Sequence, residues 1–268
     1  MDANLSVRIV TAAVALPVLI WLIGWSPIWM FPATLFVLTV AALREFFALV
    51  FPHSPKDQSR GVIFGLGLSA VIFLDAQWPA VEWLGVLFLI GLSGYLFTAG
   101  ELAERISRLQ FTLLGGIYVG FLLPHWVVLF RHPHGRAWTF WVLTVVMTGD
   151  TAAYFVGRHF GVRKLAPQIS PGKTVAGAWG YLAGALIAGF VAAKFLFETF
   201  SWLEILALAA VVGILGQLGD LFESSIKRIF AVKDSGRLLP GHGGLLDRLD
   251  SLIFPAVFTS TYLRVFHP

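Results

Sequence analysis

The chain has 268 residues, of which 57% are hydrophobic, 15% aromatic and 13% charged, and its mean hydropathy is +0.81. Soluble domains carry about 25% charged residues, so this chain lacks the polar side chains needed to cover a water-facing surface, and its composition excludes a soluble enzyme, a nucleic-acid-binding domain and a disordered chain. The net charge of +4 says little about partners, because basic loops in a membrane protein have a topological origin, and the absence of cysteine removes disulfides, thiolate metal sites and cysteine nucleophiles.

Apolar runs recur along the whole chain. Only Asp2 and Arg8 are charged among the first 43 residues, and the run from Ile9 to Ile23 is followed by no small-residue cleavage site, so it reads as an uncleaved first span. Further spans are expected at 26–43, 61–74, 83–100, 111–130, 137–157, 175–197, 202–219 and 251–266, nine in all. The third and the ninth are short for a crossing that needs about 20 residues. With a cytoplasmic N-terminus, nine crossings put fifteen of the nineteen Lys and Arg residues on the cytoplasmic side and leave Arg131, Arg136, Lys194 and Arg264 outside. The same topology brings two long polar segments, 158–174 and 220–250, to one cytoplasmic face. The pairs Gly61/Gly65, Gly116/Gly120 and Gly180/Gly184 have the spacing of close helix packing, and Trp21, Trp25, Trp29, Trp78 and Trp83 fall near span ends, as an interfacial belt does.

The charges gather after the eighth span. Residues 220–250 hold five acids, Asp220, Glu223, Asp234, Asp247 and Asp250, and five bases, Lys227, Arg228, Lys233, Arg237 and Arg248. Beside a bilayer such a cluster must pair, reach water or bind an ion. Asp220, Glu223, Ser224 and Lys227 share one helix face by spacing, while Asp247 and Asp250 open the ninth span, so two helix ends carry acids to one place. An exposed i,i+4 pair is the alternative reading of Glu223 and Lys227. Oxygen ligands from two helices, completed by substrate phosphate, suit Mg2+, which seldom receives an all-protein cage. Between them, Pro240, Gly241, Gly243 and Gly244 surround His242 in a loop able to turn tightly and offer N–H groups to an anion. His242, alone among loop residues, fits hydrogen bonding better than metal ligation.

The earlier polar segment has its own signal. Asp150 is the only charge between Arg136 and Arg158, which makes it a functional candidate inside a span. Ser170-Pro171-Gly172-Lys173-Thr174 has the end of a Walker A loop but not its beginning, since Pro167 stands where the first glycine is required, and no strand is expected before it. What remains is a Ser, a Lys and a Thr at the start of the seventh span, suited to phosphate. A helix cap followed by a topological lysine is the competing reading.

These residues carry a resemblance. The run Ser224-x-Ile226-Lys227-Arg228, then Lys233-Asp234-x-Gly236, then Leu239-Pro240-x-His242-Gly243-Gly244-Leu245-x-Asp247-Arg248-Leu249-Asp250 resembles the signature of the CDP-diacylglycerol synthase (phosphatidate cytidylyltransferase) family. The likeness extends to the Asp150 region and the SPGKT segment, and more loosely to Leu43-Arg44-Glu45-Phe46. It implies a single membrane-embedded domain over 1–268, with N-terminal spans in 1–143 and catalytic spans and cytoplasmic loops in 144–268. It also implies an inner-membrane enzyme that joins CTP to phosphatidic acid with Mg2+, with no need of a Ser, Cys or His nucleophile because the lipid phosphate is itself the nucleophile. On this resemblance Asp220 and Asp247 hold metal, with Glu223, Asp250 and Asp150 near. Lys173, Lys227 and Arg228 meet phosphates, and Ser170, Thr174, Lys233, His242, Gly243, Gly244 and Arg248 contribute to substrate binding. Gly172 stands where relatives often carry a second lysine, so the loop brings less positive charge. Expected partners are CTP, phosphatidic acid and membrane lipid, with room for a second cation and for a homodimer, and no nucleic acid. An ion-coupled transporter is the alternative; it would keep its acids near the midplane and have paired halves. The DGxxAR run of the CDP-alcohol phosphotransferases is absent from the sequence.

Overall fold

The computed structural model describes residues 3–74, 80–96, 98, 100–236, 238 and 243–267, with backbone alone for 3–12, 80, 81 and 96. The protein is an all-α polytopic membrane protein, as its composition requires. Its elements are α1 (Ala3–Gly24), α2 (Met30–Val50), α3 (Pro55–Phe73), α4 (Ala80–Leu96), α5 (Leu102–Gly115), a π-helical turn (Gly116–Leu122), α6 (His125–Arg131), α7 (Gly135–Phe160), strands β1 (Lys164–Ala166) and β2 (Ser170–Thr174), α8 (Val175–Leu196), α9 (Trp202–Ile229) and α10 (Leu246–Phe266). Among the described residues, five stretches are long and apolar enough to cross a membrane: Met30–Val50, Leu102–Arg131, Gly135–Phe160, Val175–Leu196 and Trp202–Ile229. Neither α3, with Lys56, Asp57 and Arg60 in its first turns, nor α10, with Asp247, Arg248 and Asp250, is among them.

The chain divides into two compact units, one formed by 1–128 with 235–246 and the other by 129–234 with 247–268. In the first unit, α2, α3 and the π-helical turn pack around Leu43, Phe46, Phe47, Leu68, Tyr118 and Val119, all nearly inaccessible. Gly120 lets the turn touch α3, since a Cβ there would strike the backbone of Gly65. The Ser69 hydroxyl lies 2.6 Å from the Gly120 carbonyl, a group the wider helical turn leaves open to an outside donor. At the start of α3, the Ser54 side chain accepts the Asp57 N–H as an N-cap, and buried Asp57 meets Arg60 at 3.3 Å and Arg108 at 3.6 Å. Trp21, Trp25, Trp29 and Trp83 are exposed, as belt residues would be, and Trp78 lies outside the described residues.

The second unit rests on α7, α8 and α9. The glycine- and alanine-rich face of α8 lets α7 approach closely, with Gly180 against Val156 and Gly184 against Ala152. Trp138 and Trp141 fill the interior, and the Trp141 indole donates to the Gly189 carbonyl at 2.9 Å. At the ends of α9 and α10, Glu204 accepts hydrogen bonds from the Tyr262 hydroxyl and from His267 Nε2. Between α7 and α8 the chain forms an antiparallel ribbon, with Lys164 opposite Thr174 and Ala166 opposite Ser170. The expectation that no strand precedes Ser170 is thereby corrected: β1 does, but it pairs with the segment itself and gives no phosphate loop.

Candidate active site

Helix α9 sets the depth of the site. Its 28 residues span about 42 Å at 1.5 Å per residue, longer than the roughly 30 Å hydrocarbon core. The apolar part, through Gly219, is long enough to cross, and the remaining turns carry Asp220, Glu223, Ser224, Lys227 and Arg228 to the polar boundary. On α8, Thr174 is the N-cap, its hydroxyl accepting the Gly177 N–H at 3.0 Å. The capping reading of Thr174 is therefore correct, and the cap fixes the residue before it, Lys173.

Two lysines bind the acids. Lys173 Nζ lies 2.6 Å from Asp220 Oδ2 and joins β2 to α9; the Ser224 hydroxyl donates to Asp220 Oδ1 at 3.2 Å. Lys227 Nζ donates to Glu223 Oε2 at 2.6 Å and to Asp247 Oδ1 at 2.5 Å, joining α9 to α10. The second cluster is buried, with Glu223 at 1% and Lys227 at 8% relative exposure, so the alternative of an exposed helical pair is overturned. Its burial follows from backbone contact: a Cβ on Gly219 would strike the Asp250 carbonyl, so only glycine lets α10 lie this close to α9. Asp250 is itself buried, and its Oδ1 accepts the Ser251 N–H at 2.6 Å.

A cavity of about 410 Å³ opens beside the first pair, within the range of about 300–1,000 Å³ typical of small-molecule sites. Asp150, Lys173 and Asp220 line it, together with Tyr154, Arg158, Tyr181 and Gln217. Sequence reasoning missed the last four. Tyr154 and Arg158 follow Asp150 by four and eight residues on α7, and Gln217 precedes Asp220 by three on α9, so helical spacing alone placed them on the same faces. The Arg158 guanidinium donates to the Tyr154 hydroxyl at 3.0 Å, while the Tyr181 hydroxyl is buried without a partner among the described residues.

The remaining expected residues are distributed as follows. Arg228 is exposed, and its guanidinium donates to the carbonyls of Ile169, at 2.9 Å, and Val232, at 3.3 Å, tying the end of α9 to the ribbon. Ser170 begins β2, while Lys233 and Arg248 are exposed. Gly243 and Gly244 belong to the other unit, where Gly243 has φ of 81° and Gly244 lies beside Ser235 and Glu45. His242 lies outside the described residues.

The donor chemistry fits a hard divalent cation. Every candidate ligand is a carboxylate, and Glu223 Oε1 is buried with no hydrogen-bond partner found for it among the described residues. Among the described residues no three acids or histidines converge into a complete cage, which is the situation in which Mg2+ takes its other ligands from water and substrate phosphates.

Together these features define a polytopic α-helical membrane protein with an acid and lysine site where its helices leave the apolar layer. Residues 6–266 match the profile of the cytidylyltransferase family, and the chain belongs to that family. It is 32% identical over 270 residues to the phosphatidate cytidylyltransferase of Bacillus subtilis, covering 97% of each chain. With the enzyme of the same name from Staphylococcus haemolyticus it shares 36% over 257 residues, 93% of this chain and 95% of that one. The corresponding Brucella suis protein is 33% identical over 274 residues, covering 98% of this chain and 95% of its own. The transporter alternative finds no support in these relatives.

Proposed function

We propose that the protein is a phosphatidate cytidylyltransferase, which transfers CMP from CTP to phosphatidic acid and releases pyrophosphate. Similarity to relatives of that name over nearly the full chain supports the reading. The observation that carries it is the Lys173–Asp220 pair, set in a cavity where an apolar helix turns polar and so within reach of both a water-soluble nucleotide and a lipid headgroup.

The chemistry needs no side-chain nucleophile. An oxygen of the lipid phosphate attacks the α-phosphorus of CTP, the bond from that phosphorus to the bridging oxygen breaks, and pyrophosphate departs with the electron pair. The protein aligns the two phosphates and neutralises their charge. Lys173, held in place by the Thr174 cap and partly exposed, exchanges its Asp220 contact for a phosphate oxygen. Lys227 keeps Glu223 and Asp247 together and fixes the approach of α10 to α9. Asp220 and Asp247, with Glu223, Asp250 and Asp150, would hold Mg2+, which would supply further neutralisation of the phosphates.

In this reading the protein lies in the inner membrane with nine crossings, its N-terminus and both polar segments in the cytoplasm where CTP is found. The distribution of basic residues supports that orientation. The test is pyrophosphate release by purified protein given CTP and phosphatidic acid, with and without Mg2+. Release that requires both substrates and Mg2+ is expected, and no release over any Mg2+ concentration overturns the reading.

A further inference from the structure

The cavity beside Lys173 and Asp220 is graded along its depth. Arg158 and Lys173 stand at its polar end, where α7 finishes and α8 begins, while Asp150, Tyr181 and Gln217 lie farther along the helices toward the apolar layer. All of these residues belong to one compact unit. Glycines on two helices hold the Tyr181 ring: a Cβ on Gly149 of α7 would strike its edge, and one on Gly216 of α9 would strike its hydroxyl. The residue is 2% exposed, so the ring has a single seat, with its hydroxyl level with Gly216. Gly216 precedes Asp220 by one helical turn, which places the hydroxyl about 6 Å farther from the polar end than that carboxylate.

This hydroxyl has no hydrogen-bond partner among the described residues, although Tyr181 lines the cavity. A phenol is a good donor, and burying it unpaired is costly unless an acceptor arrives with a ligand. Asp150, Asp220 and Asp250 all act on it electrostatically, so the place disfavours an anionic acceptor and suits a neutral one. Phosphatidate carries both kinds in fixed order: an anionic phosphate and, a few bonds deeper toward the hydrocarbon, two neutral ester carbonyls that accept hydrogen bonds and cannot donate them. The carbonyl of cytosine is also neutral, but its nucleotide enters from the aqueous end. We infer that the Tyr181 hydroxyl donates a hydrogen bond to an ester carbonyl of the phosphatidate while Lys173 meets the phosphate above it. The inference rests on the phosphatidate reading and adds to it a residue that selects diacyl over dialkyl lipid.

The test compares dioleoyl phosphatidate with its dioleyl ether analogue, which keeps the phosphate and chains but lacks both carbonyls, at equal mole fraction in mixed micelles. Wild-type protein and Tyr181→Phe are measured on each lipid, so that any difference in how the two lipids partition cancels in the ratio of ratios. Tyr181→Phe is expected to lower kcat/KM for the diacyl lipid about tenfold, the size of one neutral hydrogen bond, with little change for the ether lipid or in KM for CTP. Retained turnover of the ether lipid also reports that the variant is folded. An equal loss on both lipids overturns the assignment, as does no loss on either, and a rise confined to KM for CTP would place the hydroxyl on the nucleotide instead. Wild-type protein that turns over neither lipid overturns the phosphatidate reading itself, so the two failures are distinct.

Discussion

Lys173 and Lys227 both bind carboxylates, but the side chain of the first is 26% exposed and that of the second 10%. The difference separates their expected mutant behaviour. Lys173→Gln and Asp220→Asn should each lower turnover by about 10²-fold or more, the loss associated with removing a contact to developing charge, with little change in thermal unfolding because both groups are partly solvated. Lys227→Gln should lower turnover and also cost about 3–5 kcal/mol of stability, since it leaves Glu223 as a buried acid without its counter-ion. Turnover and Tm measured on the same detergent-solubilised samples distinguish the two; equal Tm losses in Lys173→Gln and Lys227→Gln would contradict the assignment. Much of this site was legible from sequence, because Asp220, Glu223 and Lys227 lie at steps of three and four on one helix. The bond from Lys227 to Asp247 was not, since twenty residues and an intervening loop separate them and no local spacing encodes it. Tyr181 was missed for another reason: a neutral side chain in a glycine-rich apolar helix leaves no charge signal.

At the scale of the element, close approach decides where the helices meet. The Gly120 turn and Gly219 are both positions where a methyl group would enter neighbouring backbone, which cannot yield as a flexible side chain can. Gly219→Ala is expected to force α10 away from α9, separate Asp247 from Lys227 and abolish activity. Gly120→Ala should destabilise by about 1–3 kcal/mol as overpacking does and leave the Lys173–Asp220 cavity, which belongs to the other unit, able to bind nucleotide. Thermal unfolding with and without CTP measures both effects: a CTP-induced rise in Tm should persist in Gly120→Ala. Apolar runs made the helices themselves legible, including the extent of α8 and the start of α9, which continues as one helix ten residues past the expected end of its span to Ile229. The β1–β2 ribbon was hidden because Pro167, Pro171 and Gly172 read as loop, and the hydrogen bonds that make it a ribbon depend on pairing across a turn. Nor does the sequence signal the π-helical turn, which arises from how Gly120 seats on Gly65 and Ser69.

For the whole molecule, the orientation proposed from basic residues is open to direct test. A reporter active only outside the cytoplasm should be silent when fused in the Lys233 region and active when fused after Pro268; the reverse pattern would invert the topology. The length of α9 has a further bearing, on kinetics. One continuous helix carries both the apolar anchor and Asp220, so the reacting groups cannot leave the boundary layer to collect a lipid from solution. The lipid arrives by lateral diffusion in two dimensions, the nucleotide by diffusion in three. In mixed micelles, turnover should therefore follow the mole fraction of phosphatidate at the surface and fall when inert detergent is added at constant bulk lipid, while the response to CTP follows its molar concentration alone.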